Sequence, residues 1–172
     1  MIVVVAALAV AGCAKEQGQS PPPNGIASPS PSPDLRQQTE RDALAAYTGM
    51  WMAMAKAGET ANPEDPQLRQ YASGEALALI VGTLVGYRES GLVTRGHPAT
   101  NPRITELTPP DAATQASLVD CGDSTAWTTH EAATGEQIEH DPRGRRQLTA
   151  TVSVIDATWK VTKFTIGDLG SC

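Results

Sequence analysis

Histidine and cysteine are the residue types in this chain that could carry specific chemistry, and their spacing limits what they can do. The three histidines, His97, His130 and His140, match neither metal-ligand spacing nor a catalytic arrangement, so we interpret them as surface residues. The sequence contains no phosphate-binding loop, dinucleotide fingerprint or Gly-Xaa-Ser-Xaa-Gly motif. We therefore expect no metal and no cofactor.

Cys13 follows a short apolar run, residues 2–11, which is well below the roughly 20 residues that a membrane-spanning helix needs. Small residues before the cysteine are typical of a signal-peptide cleavage site, and Val10-Ala11-Gly12-Cys13 resembles the lipobox of bacterial lipoproteins. In that family the cysteine receives a diacylglyceryl group and the chain is cut just before it. The resemblance implies a signal peptide at residues 1–12, a lipid on Cys13, and anchoring to the extracellular face of the cytoplasmic membrane.

Other interpretations of the apolar run at residues 2–11 remain open. Signal peptides begin with a Lys/Arg-containing segment, and only Met1 precedes the run; we expect a true start upstream, the alternative being an atypical signal. A buried strand with an incidental cysteine is a further interpretation. It is disfavoured because the following segment is rich in Pro and Ser and lacks apolar groups to bury. Residues 13–33 are therefore predicted to be a disordered tether.

Cys121 and Cys172 remain as a pair once Cys13 is assigned to the lipid, and the compartment is oxidising. We predict a disulfide between them, which would also hold the C-terminal residue in place. The alternative is a pair of metal-binding thiolates. We reject it because no histidine or further cysteine lies at ligand spacing around them.

The remaining residues, 34–172, have the length of one domain. The formal net charge of −6 argues against a nucleic-acid surface and against strong electrostatic attachment to anionic lipids. The one basic cluster, Arg143-Gly-Arg145-Arg146, is interpreted as a solvated hairpin tip.

Helices are predicted first along the domain. The spacing of one apolar stripe predicts a helix from Asp34 to about Gly58. Asp65 is expected to cap a short helix that begins at Pro66 and ends near Ala72, and a third helix is predicted from about Gly74 to Ser90. The stripe consists of Leu44, Tyr47, Trp51 and Met54.

Strands are predicted to follow the helices. In Gln147–Ile155 apolar and polar residues alternate, as in an antiparallel strand with one wet face, and a β-bulge is expected near Lys163. Helices followed by strands favour an α+β fold with N-terminal helices packed on a curved antiparallel β-sheet. The predicted strands are Leu92–Arg95, Arg103–Thr108, Ala116–Cys121, Thr125–Glu131, Gln147–Ile155 and Trp159–Ile166.

Across nearly the whole domain the sequence is similar to a group of actinobacterial secreted lipoproteins. The resemblance implies a cone-shaped fold like that of nuclear transport factor 2, shared with SnoaL-like cyclases, ketosteroid isomerase and scaffold domains. The shared pieces are Tyr47 with Trp51, Tyr71-Ala-Ser-Gly-Glu-Ala76, Gly91-Leu-Val-Thr-Arg-Gly96, Val119-Asp-Cys-Gly-Asp123, Thr134-Gly135, Trp159-Lys-Val-Thr162 and Gly170-Ser-Cys172.

Enzymes of that fold place a carboxylate base and a hydrogen-bond donor inside the cone. Asp120, Asp123 and Tyr47 are the candidates in this chain. Both aspartates flank the predicted disulfide and are expected at a rim or in a turn, so we expect a protein that is not an enzyme.

Aromatic side chains are the other candidates for a site. They could line an apolar pocket between the helices and the sheet, or they could fill that space as ordinary core, which we favour because the chain has a single phenylalanine. The candidates are Tyr47, Trp51, Tyr87, Trp127 and Trp159.

Two non-enzymatic functions follow from these observations. The first is a protein-interaction or scaffold module with an envelope protein as its partner, and the second is a protein that binds a small apolar ligand in the cone. An apolar cavity of several hundred Å³ would favour the ligand, and an interior filled by aromatic rings would favour the partner protein. An exposed apolar patch on the outer face of the sheet would also favour docking. The oligomeric state is not predicted.

Overall fold

The structure of the chain, a computed structural model, describes residues 33–139 and 142–172. The predicted signal peptide, Cys13, the tether up to residue 32 and His140 lie outside these residues, whereas Pro33, the last residue assigned to the tether, begins the first helix. Within the described part, three helices precede six antiparallel strands, so the predicted α+β class is confirmed. None of the described helices has the length and apolarity that crossing a membrane requires.

The helices begin and end close to their predicted bounds. They are α1 (Pro33–Gly58), α2 (Pro66–Tyr71) and α3 (Gly74–Glu89). Asp65 caps α2 as predicted, since its side chain accepts a hydrogen bond from the Gln67 backbone N–H at 2.9 Å. This cap and the proline at the first helical position fix the start of α2.

The strands form two sheets rather than the single sheet expected from the sequence. They are β1 (Leu92–Arg95), β2 (Arg103–Thr108), β3 (Gln115–Asp123), β4 (Thr128–Glu131), β5 (Arg145–Ile155) and β6 (Thr158–Leu169). The larger sheet has the order β2-β3-β5-β6, while β1 pairs with β4 alone. The separation arises because a turn interrupts the chain after β3, with the Trp127 N–H donating to the Ser124 carbonyl at 2.9 Å. For the same reason β4 begins at Thr128 and not at the predicted Thr125.

The predicted β-bulge in the last strand is confirmed. Thr151 pairs with Lys163 whereas Val152 pairs with Val161, so Thr162 is the extra residue on β6. A bulge of this kind bends a strand and increases its twist.

The core lies between α1 and the larger sheet. Tyr47, Met50 and Trp51 of α1 are buried against the inward face of the sheet, and α3 adds Ile80 and Leu84 from one side. On β3 every second residue from Ala116 to Gly122 is buried. Helices cover only one face of this sheet, so alternate residues of each strand are buried. This explains both the burial pattern of β3 and the alternation of apolar and polar residues in the sequence of β5.

The basic cluster is not the solvated hairpin tip that the sequence indicated. Arg145 and Arg146 begin β5, and Arg146 is half-buried. Its Nη1 donates to the Gly167 carbonyl at 3.3 Å and its Nη2 to the Pro142 carbonyl at 3.4 Å. The sheet therefore extends further toward this loop than the polar sequence suggested.

Candidate functional site

Aromatic rings meet around Trp51 in the middle of the core. The Trp51 ring lies 6.2 Å from Tyr47, 6.1 Å from Trp127 and 5.4 Å from Phe164 between centroids, with steep interplanar angles in each case. Such edge-to-face pairs stabilise a core beyond the area they bury. Trp51 is only 4% exposed, so these rings are part of the packed core, which is the arrangement that we favoured over a large pocket.

An apolar cleft opens beside this cluster, and we call it the Trp51–Trp127 cleft. Its volume is about 170 Å³. Leu148 of β5 and Ile166 of β6 are paired across the sheet and form one wall, and Ile166 is 50% exposed. The lining residues are Trp51, Pro98, Gly122, Ser124, Trp127, Gly144, Arg146, Leu148 and Ile166.

A glycine shapes the wall of the cleft. A Cβ added at Gly122 would lie 2.6 Å from Leu148 Cδ1, closer than two such carbons can approach. Gly122 lies on the buried face of β3, so any side chain there would displace the Leu148 side chain. The packing of Leu148 in this wall thus depends on glycine at position 122.

The five aromatic residues predicted as a pocket do not form one site. Trp51 and Trp127 line the cleft, and Tyr47 is fully buried behind Trp51. Trp159 lines a separate surface depression beside Tyr71, while Tyr87 is half-buried near the end of α3. Sequence spacing could place these rings on helices and strands. It could not show that the cleft wall is completed by residues such as Pro98 and Ile166, which come from other segments.

Asp120 is buried, which contradicts its expected position at a rim. It is 5% exposed, and its Oδ2 accepts a hydrogen bond from the Tyr47 hydroxyl at 3.0 Å. Its Oδ1 accepts one from the Asn101 backbone N–H at 2.8 Å. Burial, and secondarily the negative charge of Asp120, raise the pKa of the Tyr47 phenol far above its ordinary value. The phenol therefore stays protonated and remains a donor to Asp120.

Neither Tyr47 nor Asp120 lines the Trp51–Trp127 cleft; Asp120 instead lines a separate surface concavity beside the Cys121–Cys172 pair. Each carboxylate oxygen of Asp120 accepts a hydrogen bond from another segment of the chain, one from α1 and one from the segment before β2. In this geometry the pair joins three segments of the fold.

Asp123 is the last residue of β3, where it pairs with Arg145 and borders the turn that follows. Its Oδ1 accepts hydrogen bonds from the Thr125 hydroxyl at 2.5 Å and the Thr125 N–H at 2.8 Å. These two bonds, the side-chain one first, hold the pKa of the Asp123 carboxyl below its usual range. Asp123 thus fixes the turn between β3 and β4.

The side-chain hydrogen bonds of His97 and His130 within the described residues join them to residues nearby in the sequence. His130 Nδ1 donates to the Gly135 carbonyl at 3.0 Å, and its Nε2 lies 2.8 Å from the Thr128 hydroxyl, which holds the ring along β4. His97 Nδ1 lies 3.2 Å from the Pro98 carbonyl. Within residues 33–139 and 142–172, no group of three or more His, Cys, Asp or Glu side chains could hold a metal ion.

The predicted disulfide joins Cys121 of β3 to Cys172. The S–S distance is 2.11 Å and the Cα–Cα distance is 5.9 Å. The Arg145 Nε donates a hydrogen bond to the Cys121 sulfur at 3.3 Å. The bond attaches the segment that follows β6 to the second strand of the larger sheet.

Comparisons with known proteins bear on the fold alone. No protein-family model and no curated protein sequence match the chain. Among solved structures it is similar to the crystal structure of the intermembrane space region of the chloroplast protein ARC6. The TM-score is 0.51 at 12% sequence identity, and the match covers 74% of this chain and 95% of that chain. The chain therefore shares the α+β architecture of that region.

Proposed function

We propose that this chain is a lipid-anchored extracytoplasmic protein whose domain is a non-catalytic interaction module. A lipid on Cys13 and a tether over residues 13–33 would hold the domain near the outer face of the cytoplasmic membrane. A tether raises the local concentration of the domain toward partners in the same envelope. The proposal includes a fold like that of nuclear transport factor 2. The packing of the helices on one face of the larger sheet supports this part of the proposal.

The observation that carries the proposal is the size of the Trp51–Trp127 cleft. Pockets for small-molecule ligands commonly have volumes of about 300–1,000 Å³. The cleft measures about 170 Å³, and an apolar cavity of about 150 Å³ holds a benzene-sized group. The cleft thus has room for a single apolar side chain. The binding energy of protein interfaces is concentrated in a few side chains, which are typically buried in well-packed pockets.

Two of the exposed large apolar side chains, both on β6, lie next to the cleft. Ile166 is 50% exposed and Leu169, three residues further along β6, is 48% exposed. On the opposite face of the same sheet, the Thr149 and Thr165 hydroxyls lie 2.7 Å apart, and this face is rich in Ser and Thr. Docking is therefore proposed at the cleft end of β6, with a partner protein that inserts an apolar side chain.

The alternative function is binding of a small apolar ligand in the same cleft. The lining favours it, since Trp51, Trp127, Leu148 and Ile166 present apolar surface. A ligand of this kind would be limited to about the size of one aromatic ring, because the interior behind the cleft is filled by the Tyr47 and Phe164 rings.

Native mass spectrometry of the protein, extracted from its own membrane in mild detergent, tests the two functions. We expect a stoichiometric protein partner that is lost from Ile166→Glu, which places a charge at the cleft. The matched control is Thr165→Glu, one residue away on the opposite face of β6, which should retain the partner.

Other outcomes would overturn the proposal. A monomer of the wild-type protein with additional mass of a small molecule would establish the ligand function. Equal loss of the partner from both variants would show that the cleft is not the docking site.

A further inference from the structure

A surface concavity lies directly beside the disulfide. Its volume is about 380 Å³, and both cysteines of the bond line it. Its other lining residues are Asn101, Arg103, Val119, Asp120 and Gln147. The disulfide-bonded residues therefore border open surface space in the folded domain.

The two sulfurs of the bond differ in their surroundings. Cys172 lies beyond β6 and is exposed, whereas Cys121 is half-buried in the middle of the larger sheet. Only on the Cys121 side does a described side chain donate a hydrogen bond to sulfur, from Arg145 Nε at 3.3 Å. Cys172 is the more exposed residue of the pair, and Cys121 is the one whose sulfur accepts a hydrogen bond from a positively charged side chain.

We propose that Cys121–Cys172 is an exchangeable disulfide with a fixed direction of attack. The thiolate of an incoming thiol attacks the Cys172 sulfur and forms a mixed disulfide with it. The Cys121–Cys172 bond breaks, and its electron pair stays on Cys121 as a thiolate beside Arg145. A second thiol of a dithiol reductant then attacks the mixed disulfide, which releases the oxidised reductant and leaves Cys172 as a thiolate. The reductant class is a dithiol oxidoreductase or a small dithiol.

Arg145 determines the direction because the rate of exchange rises as the leaving thiol becomes a better leaving group. A neighbouring arginine stabilises a thiolate relative to the thiol. Arg103 lines the same concavity without a hydrogen bond to either sulfur among the described contacts. Arg145 is therefore the side chain that makes the Cys121 thiolate the favoured leaving group.

The segment before Cys172 stays near the sheet after exchange, which makes the step reversible. The Gly170 N–H donates to the Arg145 carbonyl at 2.7 Å, and the Ser171 hydroxyl oxygen accepts from the Gln147 N–H at 2.8 Å. Neither bond involves the cysteines. The Cys121 thiolate can thus attack the mixed disulfide again when no second thiol is available.

Reduced glutathione, a monothiol whose mixed disulfide with the protein can be trapped by an acid quench, tests the direction. The full chain carrying Cys13→Ser has Cys121 and Cys172 as its only cysteines. It is incubated with reduced glutathione under native conditions, quenched in acid, alkylated and mapped by peptide mass spectrometry. We expect glutathione on Cys172 and the alkyl group on Cys121. Glutathione on Cys121, or no reaction in the folded protein, would overturn the proposal.

The rate of the same reaction tests the role of Arg145. Arg145→Gln should slow formation of the mixed disulfide by at least about threefold, because the leaving group loses its cation. Arg145→Lys should recover part of the rate, and Arg103→Gln in the same concavity should match the parent. Equal rates for Arg145→Gln and the parent would refute the assignment of Arg145. The experiment that locates glutathione uses the Cys13→Ser chain without any substitution near the disulfide. It therefore tests the direction of attack even if an Arg145 variant folds poorly.

Discussion

The Tyr47 hydroxyl donates a hydrogen bond to Asp120 Oδ2 at 3.0 Å, which joins α1 to β3 across 73 residues of sequence. Both side chains are buried, and the other oxygen of Asp120 accepts from the Asn101 N–H before β2. A buried carboxylate is costly unless its oxygens are hydrogen-bonded. The pair therefore fixes how the long helix sits on the sheet, and with it the position of Trp51 at the cleft.

Tyr47→Phe should lower the free energy of unfolding by about 1–3 kcal/mol, because Asp120 Oδ2 loses its donor while remaining buried. Urea denaturation of the purified chain measures this change. Tyr71→Phe, which removes a hydroxyl from a half-buried ring in α2, is the control and should change stability less. Equal effects of the two substitutions would mean that the Tyr47–Asp120 bond does not stabilise the fold.

Stability should fall as pH rises above about 10 in the wild-type chain and less steeply in Tyr47→Phe. Burial and the Asp120 charge raise the pKa of Tyr47 above its ordinary value of 10.0, so the unfolded chain releases this proton first. The stabilising effect is complete below pH 10 and declines by up to about 1.4 kcal/mol per pH unit above it. Urea unfolding at a series of pH values from 8 to 11 would measure the difference; parallel profiles for both proteins would contradict it.

Removal of the disulfide by Cys121→Ser with Cys172→Ser should destabilise the domain. The bond closes a loop with a sequence separation of 51 residues, and chain-entropy arguments give such a loop about 4 kcal/mol. For a domain of this size the melting temperature should fall by about 10–15 °C. Differential scanning calorimetry measures the shift. The single variant Cys121→Ser should in addition leave Cys172 open to alkylation, and an unchanged melting temperature would rule out a stabilising bond.

Gly122→Ala should narrow the Trp51–Trp127 cleft and cost about 1–2 kcal/mol, because the new Cβ displaces the end of Leu148. The control is Gly82→Ala in α3, where an added Cβ meets nothing within 4 Å; it should stabilise the chain by up to about 1 kcal/mol. Under the proposed function, Gly122→Ala also loses the partner in native mass spectrometry and Gly82→Ala retains it. Full retention by Gly122→Ala would exclude the cleft as an anchor pocket.

Cys13→Ser should accumulate in the producing cell as a longer precursor without lipid, since the thiol that would carry the diacylglyceryl group is gone. Intact mass spectrometry of the membrane fraction compares it with the wild-type chain. A wild-type chain that carries no lipid would refute the anchor, and so would a Cys13→Ser chain that still carries one.

Local features of the sequence were enough to predict the order of the elements. Asp65 before Pro66 predicts the start of α2, since a cap and a proline act within one turn. The slip in the alternation around Lys163 predicts the bulge at Thr162 for a similar reason, because a side-chain period of two is a property of the strand itself. Once the lipobox resemblance assigns Cys13 to a lipid, the cysteine count predicts the Cys121–Cys172 pairing without any geometry.

The tertiary structure decided which faces these elements bury. Asp120 lies on the same face of β3 as Ala116 and Leu118, so the alternation along the strand could have indicated that its carboxylate is buried. The alternation could not identify Tyr47 as its hydrogen-bond donor, because Tyr47 lies on α1. The cleft likewise combines Trp51 of α1, Pro98 of a loop and Ile166 of β6, which only the packing of α1 on the sheet brings together. Periodicity acts over a few neighbouring residues, whereas a site made from distant segments depends on how the whole chain packs.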